Sequence, residues 1–157
     1  EALDCFTRMQ SEGFSPNEVT FLSVVNAFNH SGLLNEAQMH FGEMSRDYGL
    51  APDLQHHTCM VAGFGRGGQF DKAVSVIKVM PSSAHSSAVW VALLGACRKW
   101  GNVKLASLAF DQALQVDPYC AAAYVLMANI FSAAGMHKDA NKLQTMMLKD
   151  GAWKKEV

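Results

Sequence analysis

The chain has 157 residues, 50% of them hydrophobic, with 13 basic against 14 acidic side chains and a formal net charge of -1. That length is one domain's worth, and that apolar content excludes intrinsic disorder. The balanced charge excludes a module that holds nucleic acid by backbone charge alone. No apolar run approaches the roughly 20 residues that span a bilayer, so no membrane partner is expected.

The first segment, 1–12, carries Ala2, Phe6 and Met9 at helical spacing. It reads as the second helix of a helix pair whose first helix is absent. Because Glu1 opens inside a helical pattern, a piece of a longer chain is expected, with no targeting segment of its own. The face with Phe6 and Met9 is then expected to be uncapped and to drive self-association through this end, since solenoid ends need polar caps. Four pairs follow. Leading helices are predicted over 19–30, 54–66, 88–99 and 121–134, and trailing helices over 34–47, 69–80, 103–115 and 137–150. In the first trailing helix Ala37, Phe41 and Met44 share a face, and in the second Val74, Ile77 and Met80 do. Pro16, Pro52, Pro81 and Pro118 fall between units, where proline breaks no helix.

The pairs repeat in phase. Gly32, Gly68, Gly101 and Gly135 close the leading helices at steps of 36, 33 and 34 residues. Phe21, His57, Trp90 and Tyr124 recur at the same steps, as do Ala37, Ala73, Ala106 and Ala140. A period near 34 residues marks a helix-turn-helix array. The predicted fold is therefore all-α: a right-handed α-solenoid of antiparallel helix pairs, nine helices and no sheet. Ala27, Gly63, Ala96 and Ala128, midway along the leading helices, are expected to let paired backbones approach. Cys5, Cys59 and Cys97 fall on apolar faces and, with Cys120, form no CxxC pair. Reduced structural thiols are expected, with no disulfide framework.

These residues resemble a plant pentatricopeptide repeat protein of the class whose repeats vary in length. A long-type repeat, 18–53, is matched by Val19-Thr20-Phe21, Asn26 to Leu33, Phe41, Met44, Tyr48-Gly49-Leu50 and Pro52-Asp53. A short-type repeat, 54–86, is matched by His56-His57, Cys59-Met60-Val61, Gly65 to Gly68, Ala73 and Met80-Pro81. A first E motif, 87–120, shows Val89-Trp90, Ala92 to Arg98, Gly101-Asn102-Val103 and Asp117-Pro118. A second, 121–157, shows Tyr124 to Phe131, Ala134-Gly135, Asp139-Ala140 and Lys154-Lys155-Glu156. Residues 1–17 are the remnant of the unit before. Three places depart from the family pattern: Trp100 replaces a usual His, Ala62-Gly63 an acidic and apolar pair, and Ala84-His85-Ser86 a Pro-Asp.

The resemblance implies a specificity factor for C-to-U RNA editing in a mitochondrion or chloroplast. The family binds single-stranded organellar RNA one base per repeat, through one side chain near the start of the leading helix and one at the junction to the next unit. Carried over, the long repeat offers Leu22 and Asp53, the short repeat Thr58 and a junction residue near Ser86, and the unit before it Asn17. Leu22 cannot hydrogen-bond a base edge, so RNA contact is expected to be weak and confined to the first half. The E motifs imply docking of an editing-factor protein or a deaminase domain. Against this stands a tetratricopeptide-like protein-interaction solenoid with no RNA role, favoured by the neutral charge.

No enzyme is expected within the chain. A zinc cytidine deaminase needs an HxE…PCxxC ligand set, and the sequence has none. His56-His57 with Cys59 is the only local cluster, and its spacing spreads the three around a helix. No metal, cofactor or catalytic residue is therefore assigned, and Gly65-Arg66-Gly67-Gly68 reads as a helix corner rather than a phosphate loop.

Overall fold

A computed structural model describes residues 2–81 and 86–150. The departure at Ala84-His85, the match at Lys154-Lys155-Glu156 and the side chain of Ala2 lie outside the described residues. Nine helices and no strand occur among the described residues: α1 Ala2–Ser11, α2 Glu18–His30, α3 Leu34–Arg46, α4 Leu54–Arg66, α5 Phe70–Val79, α6 Ser87–Trp100, α7 Val103–Val116, α8 Ala121–Ala133 and α9 His137–Asp150. This is the all-α helical-repeat solenoid class. The helices fall into two units that divide between Met80 and Pro81.

One local device builds the turn from each leading helix to its trailing helix. Gly32, Gly68, Gly101 and Gly135 take positive φ between 65° and 77°, a region that costs other residues about 1 kcal/mol or more. The left-handed step turns the next amide back onto the carbonyl five residues earlier. Leu33 N donates to Phe28 O at 3.0 Å, Gln69 N to Phe64 O at 2.8 Å, Asn102 N to Cys97 O at 3.0 Å and Met136 N to Phe131 O at 2.8 Å. Carbonyls otherwise orphaned at a helix end are thereby satisfied. The periodic glycines of the sequence are thus periodic helix stops.

In the first unit α2 packs on α3 and α4, and α4 on α5. Phe21, Val24, Val25 and Phe28 of α2 and Met60, Val61 and Phe64 of α4 are all buried, and the two helices lie against each other. Ala37 and Met44 close the core from α3, and Ala73 and Ile77 from α5. Phe41 and Val74 are only half-buried. Phe6 of α1 is not left bare as expected. It is 5% exposed, edge-on to Phe21 at 5.8 Å and to His40 at 5.6 Å. The reason is that α1 lies against α2 itself, so the aromatic finds partners in the unit that follows. Met9 is half-buried.

Cys5, expected on an apolar face, is exposed. It shares α1 with Phe6 but sits one residue, about 100°, round the helix. Cys97 is buried, and burial pushes its thiol up to about 11. Of the small residues, Ala96 and Ala128 are buried as expected while Ala27 is half-buried. Gly63 admits a side chain rather than a backbone. The carboxamide of Asn29 fills the place its Cβ would take. Asn29 is 4% exposed, and its Nδ2 donates to Cys59 O at 2.9 Å and to Cys59 Sγ at 3.2 Å.

In the second unit α6 packs on α7 and α8, and α8 on α7 and α9. Its core is rich in alanine: Ala106, Ala109 and Ala113 of α7 and Ala123 and Ala128 of α8 surround Leu93, Leu94, Phe110 and Met127. Small residues allow close helix approach, so the larger ones fill the remaining space at crystal-like density. Tyr124 is buried against Phe110 at 5.3 Å, whereas Trp90, its counterpart in phase, is half-buried.

Candidate nucleic-acid interface

Three of the four leading helices, α2, α4 and α6, start on polar caps, and the expected junction residues are those caps; α8 starts at Cys120 with no side-chain cap. A helix start leaves amides unpaired, and a side-chain oxygen at the N-cap answers one of them. Asn17 caps α2: its Oδ1 accepts from Thr20 N at 3.0 Å and from Thr20 Oγ1 at 2.9 Å. Asp53 caps α4: its Oδ1 accepts from His56 N at 3.1 Å and lies 2.6 Å from His56 Nδ1. Ser86, in the second unit, caps α6, its Oγ accepting from Ala88 N at 3.3 Å.

Asp53 and His56 form the most constrained polar cluster of the first unit. The imidazole is 1% exposed and the carboxylate 59% exposed. His56 Nε2 donates to the carbonyl of Glu18, the first residue of α2, at 2.9 Å. One buried ring therefore ties the start of α4 to the start of α2. Partial burial works against the Asp53 charge, but the hydrogen bonds from His56 win and hold its carboxyl below its usual 3.8. Its Oδ2 has no partner among the described residues and faces a largely exposed setting. His57 is spent on structure: Nδ1 donates to Asp53 O at 2.7 Å and the ring meets Phe41 edge-on at 5.4 Å.

The helix-borne candidates differ. Leu22 and Thr58 are both half-buried. Thr58 Oγ1 donates to Leu54 O at 2.7 Å, a back-bond common for threonine within helices. It leaves the hydroxyl oxygen able to accept one further bond. No Lys or Arg occurs from Asn17 to Ser23 or from Asp53 to Cys59, so neither helix start brings a basic side chain to hold phosphate. Asn17, Leu22, Asp53 and Thr58 belong to the first unit, and Ser86 to the second.

The sequence marks His56 as part of the short-type repeat match and as a poor metal candidate, not as a partner of Asp53. Among the described residues no group of three or more His, Cys, Asp or Glu side chains could hold a metal ion. The signal for its role was present in the local pattern. Asn17 and Thr20 repeat at the same spacing as Asp53 and His56, and both are capping boxes. A residue three places after an N-cap that can bond back to it is the mark of that motif.

Comparison with known proteins fits this architecture. The PPR repeat profile matches residues 19–48 and 56–84, and the E motif profile matches residues 100–156. A pentatricopeptide repeat-containing protein of Arabidopsis thaliana is 42% identical over 154 residues, 98% of this chain and 30% of the relative. Another from Arabidopsis thaliana, named as mitochondrial, is 42% identical over 147 residues, 94% of this chain and 26% of the relative. A third from the same plant, named as chloroplastic, is 37% identical over 154 residues, covering 98% of this chain and 17% of the relative. The chain thus spans less than a third of the length of these relatives. The crystal structure of the pentatricopeptide repeat protein PPR10 from maize superposes with a TM-score of 0.78 at 20% identity, over 94% of this chain and 21% of that one. The chain belongs to the pentatricopeptide repeat family, in the class whose repeats are followed by an E motif.

Proposed function

We propose that the chain is part of a specificity factor for C-to-U RNA editing in plant organelles. In this reading residues 18–53 and 54–86 are a long and a short repeat that contact RNA. Residues 87–120 and 121–157 are two E motifs that dock an editing-factor protein or a deaminase domain. The observation that carries it is the order of matches in one chain, PPR repeats and then an E motif. Two relatives are named as mitochondrial and chloroplastic, which supports an organellar site of action. PPR10 has been crystallised in complex with an 18-nt psaJ RNA element, and that structure superposes with a TM-score of 0.76 at 22% identity, over 94% of this chain and 22% of that one.

The chemistry of the edge sets the base contact. Leu22 offers no hydrogen bond, so discrimination at the long repeat falls to Asp53. An ionised carboxylate only accepts. It suits uracil and guanine, whose Watson–Crick edges carry a ring N–H, and disfavours cytosine and adenine, whose ring nitrogen there is an acceptor. Asn17 and Thr58 serve the flanking units, and Ser86 stands at the junction after the short repeat. With no basic stripe, the isolated chain should bind RNA near non-specific strength, about 10⁻⁴ M or weaker.

NMR titration with short RNAs differing at one base tests this. Base-dependent shifts should centre on Asn17, Leu22, Asp53 and Thr58, and Thr58→Ala should weaken one preferred base by about 1 kcal/mol or more without unfolding the chain. Equal response to all four bases would favour the second reading, a tetratricopeptide-like protein-interaction solenoid without an RNA role. That reading gains from the missing basic side chains and from an apolar groove of ≈ 280 Å³ between α8 and α9, lined by Val125, Ala128, Leu143, Met147 and Leu148. A deaminase domain or editing-factor protein is the partner proposed for the second unit, and calorimetry with the purified partner measures it.

A further inference from the structure

We infer that His56 is a positioning residue for base selection, its buried ring holding the Asp53 carboxylate in a single orientation towards RNA. The inference rests on Asp53 reading a base, as proposed above, and adds the residue that makes the reading selective.

An exposed aspartate on a mobile rotamer is a poor discriminator. Its two oxygens interchange, and it adapts to any donor that approaches. Asp53 lacks that freedom. Oδ1 is engaged twice, by His56 N and by His56 Nδ1, so Oδ2 is the oxygen left for a ligand. The ring that holds it cannot swing away either. It is 1% exposed, and its far nitrogen is spent on Glu18 O. Nε2 has a carbonyl before it and so carries a proton. Nδ1 lies 2.6 Å from Asp53 Oδ1 and 3.4 Å from Asp53 N, so this ring nitrogen sits against both the side chain and the backbone of the cap. The tie spans 38 positions of sequence, from the first residue of α2 to the third of α4, so the carboxylate is referenced to both helices that would flank a base.

The unit before shows what the alternative looks like. Asn17 is held by Thr20 through a hydroxyl at 2.9 Å, and among the described residues Thr20 makes no hydrogen bond to a neighbouring helix. Both boxes cap a helix, but only the one at Asp53 is braced across the repeat. Leu22 adds no hydrogen bond at this register, so the orientation of Asp53 decides which base is accepted.

The two ring nitrogens can be separated by substitution. His56→Asn keeps a donor at the place of Nδ1 and loses the tie to Glu18. His56→Gln keeps a donor near Nε2 and loses the hold on Asp53. Each should lower stability, and circular dichroism checks that each is folded. In NMR titrations of the 157-residue chain with short RNAs, wild type and His56→Asn should favour uracil or guanine by about tenfold at this register, and His56→Gln should fall to within about twofold. A wild-type ratio in His56→Gln overturns the inference, as does equal loss in both variants, which would mean a scaffold role only. In the unsubstituted chain the His56 ring resonances should move on Asp53→Asn. Ring resonances that ignore Asp53→Asn overturn the inference even if neither His56 variant folds. A wild-type chain with no base preference, but with ring resonances that follow Asp53, would sink the base-reading proposal and this inference with it while leaving the clamp as a structural feature.

Discussion

Replacing Gly63 with alanine should destabilise the first unit, although alanine is the better helix former by about 1 kcal/mol. The added Cβ would land on the Asn29 carboxamide, with Oδ1, Cγ and Nδ2 all in its way. Asn29 has little room to yield. Its side chain is buried between α2 and α4, and Nδ2 is held by Cys59 O at 2.9 Å. Its Oδ1 already has no hydrogen-bond partner among the described residues. Rotating the amide away gives up a hydrogen bond worth about 1 kcal/mol and leaves a buried donor unpaired at about 1–3 kcal/mol. Pushing α2 and α4 apart instead loosens the core formed by Phe28, Val61 and Phe64, at about 1–3 kcal/mol. Against a gain of about 1 kcal/mol, the net change should be a loss of about 1–3 kcal/mol. Gly42 is the control. It lies within α3 of the same unit with nothing within 4 Å of its would-be Cβ, so Gly42→Ala should stabilise by up to about 1 kcal/mol. Urea unfolding followed by circular dichroism gives both numbers. If Gly63→Ala stabilises as much as Gly42→Ala, Asn29 is not where it is described and the reasoning fails. Asn29→Ala in the Gly63→Ala background should recover part of the loss.

Asp53 should make stability depend on acid. Its carboxyl is held below 3.8 in the folded chain, so the contribution is fully present above the ordinary carboxylate value and is lost as pH falls through the lower, folded one. Asp53→Asn should flatten the urea midpoint against pH below about 4, and an unchanged profile would refute the assignment. The thiols should separate by reactivity. Cys97, buried and pushed up to about 11, should be the last alkylated by iodoacetamide at mild alkaline pH, and exposed Cys5 among the first; mass spectrometry of the digested chain reads the order. Self-association through the α1 end remains proposed, with Met9 rather than Phe6 at its centre. Phe6 is packed away, but a cleft of ≈ 300 Å³ beside Met9, Val19 and Val24 stays open, so Met9→Asp should shift sedimentation towards monomer, and an unchanged profile counts against that surface.

The features legible in the sequence are those the backbone enforces locally. A left-handed residue must close each leading helix, so glycine recurs in phase, and Gly32, Gly68, Gly101 and Gly135 marked the corners to the residue. The family resemblance placed Asn17, Asp53 and Ser86 at junctions between units, and each of them caps the helix that begins there, whereas α3, α5 and α8 begin without a side-chain cap. The alternation of apolar faces placed all nine helices within a residue or two at either end. What only the tertiary structure decided concerns partners about a repeat apart. That His56 meets Glu18 O, that Asn29 enters the space beside Gly63, and that Phe6 is covered while Cys5 is not, all depend on how one helix is rotated against the next. A periodic pattern names the face that is buried but not the atom each side chain meets there, because that is set by helix phase and separation once the cores of both helices are filled. The candidate site follows the same division. Asn17 and Asp53 were reached through the family resemblance and the pairing of Asp53 with His56 was legible in their spacing, whereas the tie from His56 to Glu18 became visible only when α2 and α4 lay side by side.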